Sequence, residues 1–451
     1  MAEFYRKIPL VPTAEDFKYR DISPAELPHV MRRHILTGAM GSTYGTLTTG
    51  MFLVAFGDII GVSIVEWGIL GAVSCFAIAV QLASAYWAST IGYRRLLWYV
   101  AEVSNRLLRA LALGLALLLY HFGYGTAAAS LLVCLFCVAA FFAAAAQPPW
   151  YSWLADIIPE KIQGTFMGRR DAWISLATIS VVLPASYCLD LAGEDFKGNI
   201  LAIIFVLGIL LGMVDLFMHR VIPEPPAARE PNGSFFGQVL APLRDREYRP
   251  WLVFTSCWSF AVYLGGSLAI VFFIENLDIR RNLLGGSVVL VGVPLIATML
   301  TSWWSGALID RLGVRKVLVV CHFIWSTLPL YWIVASPRTA LLWLGISSAL
   351  GGGATSPAVN AANKLIIRVP PPEQRAMYLA VTACLNNLAG GMGPLAAGLF
   401  LDLFEGRHWL LGGFEVVPFH LVFAASFVLR LASWLLVFRI KKPAFDNGIP
   451  G

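Results

Sequence analysis

Ser305–Leu318 reads SGALIDRLGVRKVL and lies between two long apolar runs. Gly306, Asp310, Arg311, Gly313, Arg315 and Lys316 are its skeleton. A charge at the centre of a bilayer costs about 2.5 to 3.5 kcal/mol on insertion scales, so a group this dense sits at the water interface. The stretch therefore reads as a tight hairpin between two membrane helices. Its glycines lack a Cβ, which lets helix backbones approach closely and lets the chain take the positive φ of a sharp reversal. A basic loop that only fixed topology would not need the ordering G-x-x-x-D-R-x-G-x-R-K.

The composition around the hairpin agrees with a membrane protein. Hydrophobic residues make up 58% of the 451 residues, charged residues 13%, and the mean hydropathy is +0.71, outside the range of soluble domains. The charged, proline-containing first residues have no short apolar core followed by a small-residue cleavage site, so no secretory signal is expected. The seven cysteines all fall in apolar runs, which argues against a disulfide framework or a metal site. The net charge of +6 is scattered over connectors, a pattern for lipid rather than nucleic acid.

About 20 apolar residues cross a bilayer. By that rule the chain has twelve spans, at 35–57, 67–88, 96–120, 124–146, 172–192, 198–219, 250–274, 285–307, 316–335, 339–361, 377–402 and 417–438. With both termini inside, the inner segments hold 25 of the 33 Lys and Arg and the outer loops hold 5, a bias that supports the count and the orientation. Arg220 to Arg249, with five prolines, reads as a linker between two six-helix halves. The expected divisions are a tail at 1–34, a first bundle at 35–220, the linker at 221–249, a second bundle at 250–439 and a tail at 440–451. Internal repetition supports the halves. Ala85–Arg95 (AYWASTIGYRR) aligns with Gly306–Lys316 through Gly92 with Gly313, Arg94 with Arg315 and Arg95 with Lys316; PEKIQGTF from Pro159 echoes PPEQRAMY from Pro371. Such repeats place a site near the bilayer midplane where the halves meet.

With these features the chain resembles the major facilitator superfamily of secondary transporters over nearly its whole length, and Gly306, Asp310, Arg311, Gly313, Arg315 and Lys316 match the family's signature loop. The resemblance implies an all-α integral membrane protein of twelve transmembrane helices in two halves. It also implies that Asp310 braces helix ends across the half interface, with Arg169 and Arg170 as candidate partners. In the first copy Ser89 takes the position of Asp310 and Ala85 that of Gly306, so any charge latch is asymmetric. The family's fifth-span G-P-x-x-G-G is absent and the fourth span has no arginine, which speaks against a drug/proton antiporter.

Ionisable residues inside spans are functional suspects. Glu102, Arg106 and Arg109 share one face of the third span, where Glu102 can pair with Arg106 as a structural ion pair or as a coupling site; Asp58 is a second candidate for ion coupling. The resemblance assigns the cavity to the first, fourth, seventh and tenth spans, aided by the fifth, eighth and eleventh. There the sequence offers Tyr44, Thr46, Thr49, Trp258, Tyr263, Thr355, Asn360, Asn386 and Asn387, with no acid or base at that depth. Each hydroxyl could equally bond its own helix and each amide a neighbouring helix. Gly351–Gly353 and Gly390, Gly391 and Gly393 read equally as pivots or as tight crossings. The expectation is a monomeric alternating-access transporter of a small neutral, sugar-like solute in the cytoplasmic membrane, with H+ or Na+ as coupling ion and no cofactor. An exporter of amphipathic compounds and a non-transporting receptor or scaffold are the alternatives. A membrane enzyme is disfavoured, since no H-E-x-x-H, G-x-S-x-G or acid cluster occurs.

Overall fold

The computed structural model describes residues 18–226, 234–277, 288–404, 406–411 and 414–440. The end segments of both expected tails lie outside them. In the first half, α1 (Leu27–Thr48) and α2 (Gly50–Ile60) make one crossing, broken where Gly50 takes φ 56°. A second crossing is made by α3 (Ile64–Ala77) and α4 (Val80–Thr90), and four continuous helices follow: α5 (Arg94–His121), α6 (Gly125–Ile157), α7 (Gln163–Leu191) and α8 (Glu194–His219). The linker contains a helix of its own, α9 (Phe235–Arg244). The second half consists of α10 (Arg249–Glu275), a π turn at Val288–Gly292 leading into α11 (Val293–Leu312), then α12 (Val314–Val334), α13 (Ala340–Arg368), α14 (Arg375–Leu403) and α15 (Pro418–Leu436). A hairpin, β1 (Trp409–Leu411) with β2 (Phe414–Val416), joins α14 to α15.

Among the described residues eight helices are individually long and apolar enough to cross a membrane. The remaining crossings are the two broken pairs and the 29-residue α13 and α14. The end of the bundle that carries α9 and the Ser305–Leu318 connector is called the linker face below.

Two expected boundaries move for one reason. The fourth span was expected to end at 146 and the fifth to begin at 172, whereas α6 runs to Ile157 and α7 starts at Gln163. At about 1.5 Å per residue, the 33 residues of α6 exceed a ~30 Å hydrocarbon core, so its end projects into water. Hydropathy detects only the part in lipid. Gly168, Arg169 and Arg170 therefore lie within α7, not in a connector before it.

Each half buries its own core. Phe52, Phe56, Leu113, Leu132 and Phe205 pack together in the first, and Phe254, Val317, Leu318 and Leu365 in the second. The first half also buries a charge network: Arg106 donates to Asp215 at 2.5 Å and to the Gly212 carbonyl at 3.1 Å, and Asp215 contacts His219 at 2.8 Å. Glu102 is a more distant partner of Arg106, at 3.7 Å. The expected pair is thus present, but Asp215 is the residue that chiefly holds this buried guanidinium.

The internal repeat is preserved in backbone geometry, since Gly92 and Gly313 both have φ 85°. The arginine two residues after each glycine does the same work in each half. Arg94 and Arg95 bind carbonyls just after α8, at Pro225 (3.2 Å) and Ile222 (2.6 Å), and Arg315 binds the Phe438 carbonyl just after α15 at 2.5 Å. Glu224, fully buried beside Arg94, has its carboxyl pushed up by burial against the pull of that arginine.

Candidate functional site

At the linker face α7 of the first half crosses α11 of the second through glycines. A Cβ on Gly306 would stand 2.3 Å from the Gly164 carbonyl oxygen and 2.3 Å from the Thr165 Cα; one on Gly168 would stand 2.6 Å from the Ser302 carbonyl oxygen. These neighbours are backbone atoms and cannot turn aside. Gly306 in the hairpin is therefore a contact between halves.

Asp310 lies one turn beyond this crossing. Its carboxylate accepts from Lys364 of α13 at 3.0 Å and, across the interface, from the Thr165 hydroxyl at 3.1 Å. The expected arginine partners are replaced. Arg170 is turned into its own half, stacked on Trp150 at 5.1 Å beside Gly38, and Arg169 is exposed. Because α7 begins at Gln163, Thr165 is the residue level with Asp310 and the two arginines lie more than a turn deeper. Lys364 was missed because α13 continues seven residues past the expected end of the tenth span.

Two further polar links close the same face. Asp156 accepts from Arg94 at 2.5 Å and from Arg375 of α14 at 2.8 Å, joining the halves through one carboxylate. Arg368 donates to Gln163 at 2.6 Å and to the Ile158 carbonyl at 2.9 Å.

The first copy of the hairpin uses another device. Ala85 and Ala88 of α4 pack on Ala376, Met377 and Ala380 of α14, and Phe235 and Val239 of the linker helix fill the edge. Ser89, in the position of Asp310, places its hydroxyl 2.8 Å from Gln238 Oε1 of α9. The linker helix thus bonds where the second copy has its charged latch. A neutral hydrogen bond contributes about 0.5 to 1.5 kcal/mol, so Gln238→Ala is expected to raise the linker-open population by about two- to tenfold, measured as the distance between spin labels across this face.

Deeper in the second half, α10, α11, α12 and α13 line an open cavity of about 610 Å³. Phe273, Trp325 and Trp332 provide aromatic walls, and Thr298, Ser347 and Ser348 provide polar atoms; no lining residue is acidic or basic. Arg430 stands behind the wall with its guanidinium 5.6 Å from the Trp332 ring, donating to the Trp325 and Val262 carbonyls.

Residues 284–450 match the family model for the Major Facilitator Superfamily. The match lies in the second half of the chain. Solved facilitators show the same fold at low identity. A bacterial homologue of the iron transporter ferroportin, in the outward-facing state, is 12% identical with a TM-score of 0.65, covering 92% of this chain and 98% of that one. The E. coli fucose:proton symporter FucP is 15% identical, with a TM-score of 0.61 and coverage of 90% and 98%. The proton:xylose symporter XylE is 13% identical, with a TM-score of 0.64 and coverage of 94% and 98%. No curated protein matches the sequence.

The fold brings few of the expected cavity residues together. Tyr44 is buried within the first half, against Gly212 of α8 and under Arg106 at 5.2 Å, so it lines no cavity. Thr46 and Thr49 bond their own helix at Ser42 and Gly45. Trp258 packs on His322 at 4.6 Å, while Tyr263 covers Gly390. Thr355 lines the second-half cavity, although its hydroxyl donates to the Gly351 carbonyl. Asn386 accepts a long bond from Ser256 at 3.5 Å, and Asn387 returns to the Ala383 carbonyl of its own helix. Asn360 is buried at the half interface, donating to Ser305 and Ser356. Asp58, Arg311 and Lys316 are exposed. The glycine clusters are tight crossings: a Cβ on Gly352 would meet the Pro294 carbonyl oxygen at 2.3 Å, and one on Gly393 the Leu264 nitrogen at 2.7 Å.

Proposed function

We propose that this protein is an alternating-access carrier of a small neutral, hydrogen-bonding organic solute, and that the described conformation is its outward-facing state. The observation that carries the reading is a linker face sealed between halves while an uncharged aromatic and hydroxyl-lined cavity stands deeper in the bundle. The excess of bases on that face makes it the cytoplasmic one, with both termini inside the cell membrane. The bundles at 35–220 and 250–439 are the moving bodies. Gly306, Asp310 and Thr165 form the seam that must part, with Arg315 anchoring the hairpin to α15. Aromatic faces with hydroxyls suit a sugar-like ring, whose apolar faces stack while its edges bond. FucP is a fucose:proton symporter and XylE a proton:xylose symporter, which is in keeping with this class.

The test is uptake of radiolabelled monosaccharides into proteoliposomes. Saturable flux is expected, and Trp332→Ala together with Ser347→Ala is expected to cut it by at least about tenfold, as the loss of a stacking wall and a polar contact would. Flux only of amphipathic dyes would favour the exporter; binding without flux would favour a receptor.

A further inference from the structure

The seam contains a titratable group that the gate does not use. Asp171 lies on α7, about 9 Å beyond Thr165 at ~1.5 Å per residue, and points at α13. Its carboxylate accepts from the Ser356 hydroxyl at 3.4 Å. Ser356 joins Ser305 of α11 at 3.3 Å, and the Asn360 amide donates to both serines. Ser305, Ser356 and Asn360 are buried, and Asn360 Oδ1 has no donor among the described residues. This cluster is made by both halves and exists only while they are closed.

No cation lies within ion-pairing distance of Asp171 among the described residues. Its neighbour Arg170 attracts it through space but is stacked on Trp150 and makes no ion pair with it, and Tyr151 of α6 faces it from the same half. On the other half the nearby charges, Asp310 of α11 and Lys364 of α13, are paired with each other at 3.0 Å. An unpaired carboxylate is far costlier to bury charged than neutral, so closing the seam over it favours proton uptake and opening it to cytoplasmic water favours release. The two other carboxylates that join the halves each have a cation: Asp156 has Arg94 and Arg375, and Asp310 has Lys364.

We infer that Asp171 is a proton-binding site read by the half interface: its carboxylate takes a proton from water as α7 closes on α11 and α13 and returns it when they part. The inference rests on the proposed transport cycle and supplies its coupling ion. It displaces Asp58, which is exposed, and Glu102, which faces Arg106 within one half.

The test needs no substrate. Spin labels at Lys161→Cys and Lys316→Cys, both exposed at the linker face, report closure of the full-length, otherwise cysteine-free protein in nanodiscs. Acidifying the buffer is expected to raise the closed-to-open ratio by about tenfold, the change that one unit of differential proton affinity gives. Asp171→Asn, a mimic of the neutral form, is expected to hold the closed distance at every pH, while Glu102→Gln, Asp58→Asn and His34→Gln, the last a buried ring of α1 packed on His219 within the first half, keep the response. Two distances whose ratio does not depend on pH, or a response that survives Asp171→Asn or is abolished by His34→Gln, overturn the proton site and leave the carrier standing. One distance under all conditions overturns both.

Discussion

Gly306→Leu is expected to hold the linker face open. The new side chain would start 2.3 Å from the backbone of Gly164 and Thr165, closer than any Cβ contact, so α7 and α11 must separate to admit it. Overpacking a tight contact costs about 1 to 3 kcal/mol, and here that cost falls only on the closed state. The closed-to-open ratio should therefore drop by about 5- to 150-fold. Gly168→Leu should act in the same way, against the Ser302 carbonyl. Cysteine cross-linking across the face reads the effect: slower disulfide formation between Lys161→Cys and Lys316→Cys is predicted. An unchanged rate, with the protein folded, would mean that the crossing is not part of the gate.

Asp310→Asn should weaken the same closure by electrostatics. Lys364, whose side chain is 9% exposed, would lose the carboxylate that balances its charge at 3.0 Å. Removing one member of a buried pair costs about 3 to 5 kcal/mol, whereas replacing both by apolar groups of similar size is often neutral. Asp310→Asn alone should thus abolish measurable solute flux, and the double variant Asp310→Asn, Lys364→Met should restore part of it. Membrane insertion should be unchanged in both, as checked by size-exclusion elution. If the double variant is no better than the single one, Lys364 is not the partner whose charge matters.

The fold was legible because lipid imposes a simple rule. Every crossing needs a long apolar helix, so the twelve spans could be read from hydropathy. The hairpin was legible for a related reason: Gly313 needs positive φ, and the identically bent Gly92 marks the repeat. Helix ends were not legible. Once α6 and α13 leave the lipid they continue as ordinary polar helices, and this hid Asp156, Lys364 and the true depth of Arg170.

The partners of buried polar groups were harder still to foresee. Asp215, inside the sixth span, is the residue that holds Arg106, yet it lies 109 positions away in sequence. The Asp-x-x-x-His spacing of Asp215 and His219 was the available signal. Hydroxyls such as Thr46 and Thr49 were ambiguous by nature, since in an apolar helix a bond to the preceding turn competes with any ligand, and here that bond is made. Ser89 is the instructive case. Read as a lost acid it predicted an asymmetric latch; its bond to Gln238 shows the linker helix occupying that place.

Reciprocal motion of the two faces is the core of the account. One double electron–electron resonance measurement, made with label pairs at Lys161→Cys with Lys316→Cys on the linker face and at Phe196→Cys with Arg338→Cys on the opposite face, tests it in wild-type and Gly306→Leu backgrounds. The prediction is that Gly306→Leu lengthens the first distance and shortens the second. If both distances lengthen together, or neither moves, the halves do not rock about a central site and the alternating-access account is wrong.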